Sequence, residues 1–185
     1  MILLRALLLA AIVSGSAAAG GGAVPLTVGT VPDLAFVDQA GNTRHFWTDL
    51  AQGHTVVVNF IFTTCTTICP PMGANFAALQ HLMSTRGADV RFVSVSIDPT
   101  TDTPARLAEW AGRFGGTPAW TLLNGPSASV NAILDALGMR SAVREEHSPV
   151  LVMGDTRTGR WTRASALAPP EELADLLDEL RGARR

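Results

Sequence analysis

Two cysteines, Cys65 and Cys69, lie four positions apart in a chain of 185 residues that contains no other cysteine. They follow a run of β-branched and aromatic residues and precede Pro70, a pattern typical of a strand that turns into a helix. Free backbone N–H groups and the helix dipole at such a turn stabilise a thiolate over a thiol. Since thiolates bind soft metals and attack disulfides, the spacing predicts a reactive or metal-binding pair.

The alternative interpretation of the pair is an inert disulfide, which an oxidising compartment would tend to close. A ring this short gains little entropic stabilisation, and the start of a helix activates the sulfur, so position favours a functional site over a structural disulfide.

A metal bound by these two sulfurs needs a further ligand, because two cysteines cannot build a four-sulfur zinc or iron–sulfur centre. His147 is the candidate, since histidine is the commonest metal-binding side chain. Glu145 and Glu146 precede it and could accept a hydrogen bond from the ring nitrogen that does not bind metal. A solvated acidic loop is the alternative interpretation of the two glutamates.

The composition and length of the chain limit the class of protein it can be. A hydrophobic content of 47% and a charged content of 16% are typical of a globular protein, and the length suits a single domain. A net charge of −2 offers no basic field, so we exclude nucleic acid as a partner.

The first residues predict export. One arginine, a short apolar run and an Ala-x-Ala pattern at 17–19 are typical of a cleaved signal peptide over residues 1–19, and we expect a periplasmic protein. The apolar run is far shorter than the roughly 20 residues that span a bilayer. An uncleaved anchor is the alternative, and it would be the chain's own contact with a membrane.

The elements that position the cysteines follow from periodicity and turn residues. Residues 20–30 are interpreted as a flexible linker, and residues 31–185 as the domain. We predict a hairpin over 34–46, strands over 55–62, 91–97, 119–123, 150–153 and 160–164, and helices over 70–83, 103–114, 126–137 and 170–180.

This order predicts an α/β domain with three layers and a central mixed sheet. Cys65 and Asp98 each follow a strand, so they should share the carboxyl-terminal edge of the sheet, where open α/β sheets place their ligands. If the strand after His147 is antiparallel, His147 should reach the same edge.

The chain resembles the Sco/SenC family, copper proteins of cytochrome c oxidase assembly with a thioredoxin-like fold. The similarity covers FVDQAG at 36–41, FTTCTTICP at 62–70, VSIDP at 95–99, DTP at 102–104 and HS at 147–148. It implies that Cys65, Cys69 and His147 are the copper ligands. Two features depart from the family: Glu146 stands where members commonly have Asp, and a signal peptide replaces the usual membrane anchor.

Two thiolates and an imidazole form a soft, three-coordinate set that favours Cu(I) over Zn(II). The resemblance therefore implies an exported chaperone that delivers copper, as Cu(I) or Cu(II), to the binuclear copper centre of cytochrome c oxidase. Its partners would be the copper-bearing subunit of the oxidase and another periplasmic copper chaperone or thiol reductant. The alternative is an enzyme, a thiol-disulfide oxidoreductase with Cys65 and Cys69 as its redox-active dithiol. A role as a copper sensor is a further alternative.

Overall fold

The computed structural model of the protein describes residues 23–115, 119–140 and 149–182. Strands and helices alternate along much of this part of the chain. The strands are β1 (Val24–Pro25), β2 (Ala35–Asp38), β3 (Thr43–His45), β4 (Thr55–Ile61), β5 (Val90–Ser96), β6 (Trp120–Asn124), β7 (Val150–Asp155) and β8 (Arg160–Ser165). The helices are α1 (Cys69–Thr85), α2 (Pro104–Gly112), α3 (Ser127–Ala136) and α4 (Pro170–Arg181), and one wide helical turn lies at Phe46–Ala51.

The eight strands form one sheet in the order β1-β8-β7-β4-β5-β6-β2-β3. Its centre is parallel, since β4 pairs with β5 and β5 with β6 in the same direction. β7 joins β4 antiparallel, β8 joins β7 antiparallel, and β2 joins β6 antiparallel. The predicted mixed sheet with flanking helices is therefore confirmed.

β4 is the middle of the molecule, and all seven of its residues are buried. Because successive side chains point to opposite faces, Val57 and Ile61 pack in the core beneath α1, α2 and α4. Val56 and Val58 pack in the second core, against α3 and the turn at Phe46–Ala51. The run without alternation thus marks a strand covered on both faces, as the sequence predicts.

The predicted hairpin is β2 and β3, which pair antiparallel. Its turn depends on Gly41, whose φ of +85° is a conformation that side chains with a Cβ rarely adopt. The carboxylate of Asp38 accepts hydrogen bonds from the backbone N–H groups of Ala40 and Asn42, at 2.9 and 2.8 Å. These contacts fix the register of the edge hairpin.

Two segments differ from the predicted elements. Phe46–Ala51 forms a wide turn closed by a hydrogen bond from Gln52 N–H to the Trp47 carbonyl, at 2.8 Å. Buried Phe46 and Leu50 hold this turn in place, and six residues are too short for a periodic pattern to reveal it. Val24 and Pro25, within the predicted linker, pair with β8 as a two-residue edge strand.

The predicted signal peptide lies outside the described residues. No helix within the described ranges is both long and apolar enough to cross a membrane.

Candidate metal centre

The parallel pairing of β4 and β5 brings their carboxyl ends to the same edge of the sheet. Ile61, the last residue of β4, lies opposite Ser96, the last residue of β5. The backbone N–H of Ile97 donates to the Ile61 carbonyl at 2.9 Å, which extends the contact by one residue. Cys65 follows the first strand and Asp98 the second, so both lie at the edge where the sequence places them.

A tight turn carries Cys65 to the start of α1. The Cys65 N–H donates to the carbonyl of Phe62 at 3.1 Å. α1 begins at Cys69, one residue earlier than predicted, with Pro70 in its first turn. Proline there removes no helical hydrogen bond, because the first N–H groups of a helix have no carbonyl partner.

The two sulfurs meet at this helix start as free thiols. The backbone N–H of Cys69 donates to the Cys65 sulfur at 3.3 Å. The Thr67 hydroxyl lies 3.8 Å from the same sulfur. Cys65 is 8% exposed and Cys69 is completely buried. Both cysteines are therefore buried, and Cys65 is the more accessible of the two.

Their surroundings give the two thiols different acidities. Burial acts to raise the pKa of Cys65, but hydrogen bonds from the Cys69 thiol, the Cys69 N–H and the Thr67 N–H and hydroxyl outweigh it and lower that pKa. Burial, the hydrogen bond to Cys65 and the negative charges of Cys65 and Asp102 together raise the pKa of Cys69 to about 12. Cys65 is therefore the more acidic of the two thiols, and its sulfur accepts hydrogen bonds while the Cys69 thiol donates one.

A buried carboxylate lies behind the cysteine turn. Asp102 is 1% exposed and accepts hydrogen bonds from Thr63 and Ser96. The next residue, Thr103, caps α2 by accepting from Arg106 N–H at 3.3 Å. The side chain that caps α2 is thus Thr103, and no local sequence signal predicts the contacts of Asp102 with Thr63 and Ser96.

Asp98 lies at the same edge but has local contacts. It is 8% exposed, and its carboxylate accepts from the Thr100 hydroxyl at 3.1 Å. Its backbone carbonyl accepts from the N–H groups of Thr101 and Asp102 and shapes the loop that leads to α2.

His147, Glu145 and Glu146 lie outside the described residues. In the part of the chain that is described, no group of three or more His, Cys, Asp or Glu side chains is arranged to hold a metal ion. The two sulfurs alone are brought together there. Met72, a soft side chain near them in sequence, is fully buried in the core of α1, as expected for a packing residue.

Comparison with known proteins places these features in a family. A family model described as SCO1/SenC matches residues 28–177. The SCO1 protein homolog of Bacillus subtilis is 39% identical over 79 residues, which cover 42% of this chain and 41% of that protein. Protein SenC of Rhodobacter capsulatus is 28% identical over 127 residues, which cover 64% and 57%. The chain thus spans about half the length of the curated relatives it matches.

Solved structures agree with the fold. A SCO1/SenC family lipoprotein from Bacillus anthracis has a TM-score of 0.74 at 28% identity, covering 85% of this chain and 97% of that chain. BsSco, a member of the Sco family of cytochrome c oxidase assembly proteins, has a TM-score of 0.73 at 24% identity, with 86% and 95% covered. Arabidopsis thaliana ScoI with copper bound has a TM-score of 0.67 at 22% identity, with 89% and 99% covered.

The solved neighbours confirm the predicted thioredoxin-like fold. The family model covers most of the chain, from the segment before β2 to the last helix. The chain therefore belongs to the SCO1/SenC family.

Proposed function

We propose that this protein is a periplasmic copper chaperone that binds Cu(I) through Cys65, Cys69 and His147 and delivers it to the copper-bearing subunit of a cytochrome c oxidase. The observation that carries the proposal is the contact between two free thiols at the start of α1, where the Cys69 N–H also donates to the Cys65 sulfur. Copper is the cargo of this reaction, and the cysteine turn is the part of the chain that takes it up.

The chemistry of the two sulfurs suits Cu(I). Thiolates are soft ligands, and soft ligands select Cu(I) over harder ions. The lowered pKa of Cys65 makes its thiol the easier of the two to deprotonate, whereas the raised pKa of Cys69 means that its proton must be lost to the solvent as the ion binds. Copper uptake would therefore release a proton, and it would be weaker in acid.

The strand pairing next to His147 supports its role as the third ligand. Residues 55–58 of β4 pair with residues 155–152 of β7, so continuing the register places Pro149 level with Ile61. Pro149 is held there by its carbonyl, which accepts from Ala166 N–H at 2.7 Å. Since His147 stands two positions before Pro149 in the sequence, the chain approaches the edge that holds the cysteines.

A three-coordinate site also suits transfer. An ion with an open coordination position can accept a ligand from the recipient before its own ligands leave. Oxidation of Cys65 and Cys69 to a disulfide would remove both thiolates and abolish binding. The copper-bound Arabidopsis neighbour and the oxidase-assembly name of BsSco support copper and an oxidase as cargo and recipient. Another periplasmic copper chaperone or a thiol reductant would act before this step.

Copper titration tests the proposal. The reduced protein is titrated without oxygen with Cu(I) held by a competing chelator, for the wild type and for Cys65→Ser, His147→Ala and His81→Ala. We expect one tightly bound equivalent. Removing a ligand should weaken it by about 100-fold or more, since even partners outside the ligand shell contribute about 10–100-fold. His81 is an exposed histidine of α1 and serves as the control, with unchanged affinity. Unchanged affinity in His147→Ala would remove His147 from the site.

The different acidities of the two cysteines support a second candidate function, that of a thiol-disulfide oxidoreductase. The Cys65 thiolate would attack a substrate disulfide, forming a mixed disulfide and releasing one substrate thiolate that takes up a proton. Cys69, after losing its proton, would attack Cys65 and release the second thiolate, so two electrons pass to the substrate. The same variants separate the two functions, because disulfide exchange would survive in His147→Ala while copper affinity would not.

A further inference from the structure

The carboxylate of Asp102 accepts several hydrogen bonds from residues around the cysteine turn. Its oxygens accept the Thr63 N–H at 3.1 Å, the Thr63 hydroxyl at 2.5 Å and the Ser96 hydroxyl at 2.6 Å. At 1% exposure the carboxylate has little access to water, so these donors provide its solvation. Losing a donor would leave this buried carboxylate less well solvated, which is costly.

These contacts fasten the segment that carries Cys65. Thr63 stands two residues before Cys65, and the Cys65 N–H donates to the neighbouring Phe62 carbonyl at 3.1 Å. Arg106 of α2 donates to the Thr63 hydroxyl at 3.2 Å from a different direction. The start of the turn is therefore held by hydrogen bonds to Asp102 and Arg106, which are 39 and 43 positions later in the sequence.

Asp102 is itself fixed through its backbone. The side chain of Asn124, at the end of β6, donates to the backbone carbonyl of Asp102 and to that of Pro99, the latter at 3.3 Å. Because Ser96 ends β5, the carboxylate joins the end of β5 to the loop after β4, while Asn124 holds the backbone of Asp102 at the end of β6. The cysteine turn is thus anchored to the carboxyl-terminal ends of β5 and β6.

We infer that Asp102 is a positioning residue of the cysteine site: its buried carboxylate holds Thr63, and through it the turn that brings the Cys65 sulfur against Cys69. Asp102 would thereby raise both the tendency of the dithiol to close into a disulfide and the affinity for Cu(I). Only the copper readout rests on the proposed function, since disulfide closure depends on sulfur geometry alone.

The chain offers a matched control in Asp155. This carboxylate is also fully buried, and it accepts from the Thr55 hydroxyl at 3.1 Å and from Arg157 Nε at 3.0 Å. Asp155 ends β7 and pairs with Thr55, the first residue of β4. It therefore lies about 20 Å along the strand from the cysteine edge, given the rise of about 3.3 Å per residue. Its removal should lower stability without moving the sulfurs.

The experiment compares the full-length wild type with Asp102→Ala, Asp102→Asn and Asp155→Ala. Disulfide closure is measured in glutathione buffers, where the two cysteine thiols and one glutathione disulfide give the protein disulfide and two glutathione thiols. Cu(I) affinity is measured by chelator competition, and stability by thermal unfolding. Asp102→Asn keeps one acceptor oxygen in the same shape, so it reports on the site if Asp102→Ala does not fold.

We expect Asp102→Ala to lower the equilibrium constant for disulfide closure and the Cu(I) affinity by about tenfold each, as found for groups that orient ligands, with Asp102→Asn in between. Asp155→Ala should change neither quantity by more than about twofold at a similar loss of stability. Unchanged or increased closure in both Asp102 variants, or an equal decrease in Asp155→Ala, would overturn the inference. If the wild type fails to bind Cu(I), the proposed function fails while disulfide closure still tests Asp102.

Discussion

At the level of single residues, Cys65 and Cys69 differ more in their surroundings than in their chemistry. Both sulfurs lie at the start of α1, but Cys65 accepts hydrogen bonds and is 8% exposed, whereas Cys69 donates one and is completely buried. A donor stabilises a thiolate, and burial destabilises it. The same turn therefore makes Cys65 the more reactive thiol and Cys69 the less reactive one.

Alkylation should reveal this difference. With iodoacetamide at pH 8, we expect the reduced protein to be labelled at Cys65 first, since the pKa of Cys65 is lowered and that of Cys69 is raised to about 12. The thiolate is the reactive form, so labelling of Cys65 should become faster as the pH rises towards its pKa and then level off below the usual thiol value. Mass spectrometry of digested protein gives the position and the rate.

Two single variants serve as the controls for this measurement. Cys69→Ser keeps Cys65 and the backbone N–H that donates to it, so it should still react quickly. Cys65→Ser should react at least about 100-fold more slowly, because Cys69 is completely buried and burial both shields its sulfur and raises the pKa of its thiol. Equal rates in the two variants would contradict the assigned roles.

At the level of elements, local sequence signals predicted most of the sheet and all four helices. The β-branched run of β4, the prolines that start α1, α2 and α4, and the glycine turn of the hairpin each carry their signal within a few residues. The edge strand at Val24–Pro25 had no such signal, because its two residues are ordered by hydrogen bonds to β8, more than a hundred positions later.

The candidate site likewise has one contact that the sequence could predict and one that it could not. The contact between Cys65 and Cys69 follows from a spacing of four residues at a helix start, so the sequence could predict it. The role of Asp102 depends on Thr63, which is 39 positions earlier and is brought near only by the parallel pairing of β4 and β5. Periodicity and local motifs contain no information about that contact.

The β7–β8 hairpin makes a packing prediction at this level. Gly154 lies opposite Trp161, and a Cβ at residue 154 would overlap the inner ring atoms of the indole. We expect Gly154→Ala to lower the free energy of unfolding by about 1–3 kcal/mol, the usual cost of overpacking. Urea unfolding checks this value. Gly112→Ala is the control: it adds a Cβ to α2 where no neighbour lies within 4 Å, so it should leave stability unchanged or raise it. A neutral Gly154→Ala would show that Trp161 can move aside.

At the level of the whole molecule, the proposed copper site would join parts of the chain that the fold keeps separate. Cys65 and Cys69 lie between β4 and α1, whereas His147 comes 78 positions after Cys69, beyond α3. A ligand that requires all three side chains in place binds the native state better than the unfolded chain, and it therefore raises stability. Copper loading should then be visible as a property of the entire domain.

Thermal unfolding of the reduced protein with and without buffered Cu(I) measures this effect. At free Cu(I) about 100 times the dissociation constant, binding adds about 2.7 kcal/mol if the unfolded chain does not compete. For a domain of this size, that corresponds to a rise in the midpoint temperature of roughly 5–10 °C. At the same free Cu(I), His147→Ala should lose most of the rise, since its remaining two sulfurs are also available for Cu(I) in the unfolded chain, and His81→Ala should keep it. An equal rise in wild type and His147→Ala would place the whole stabilising effect on the two cysteines and α1, and it would leave residue 147 outside the site.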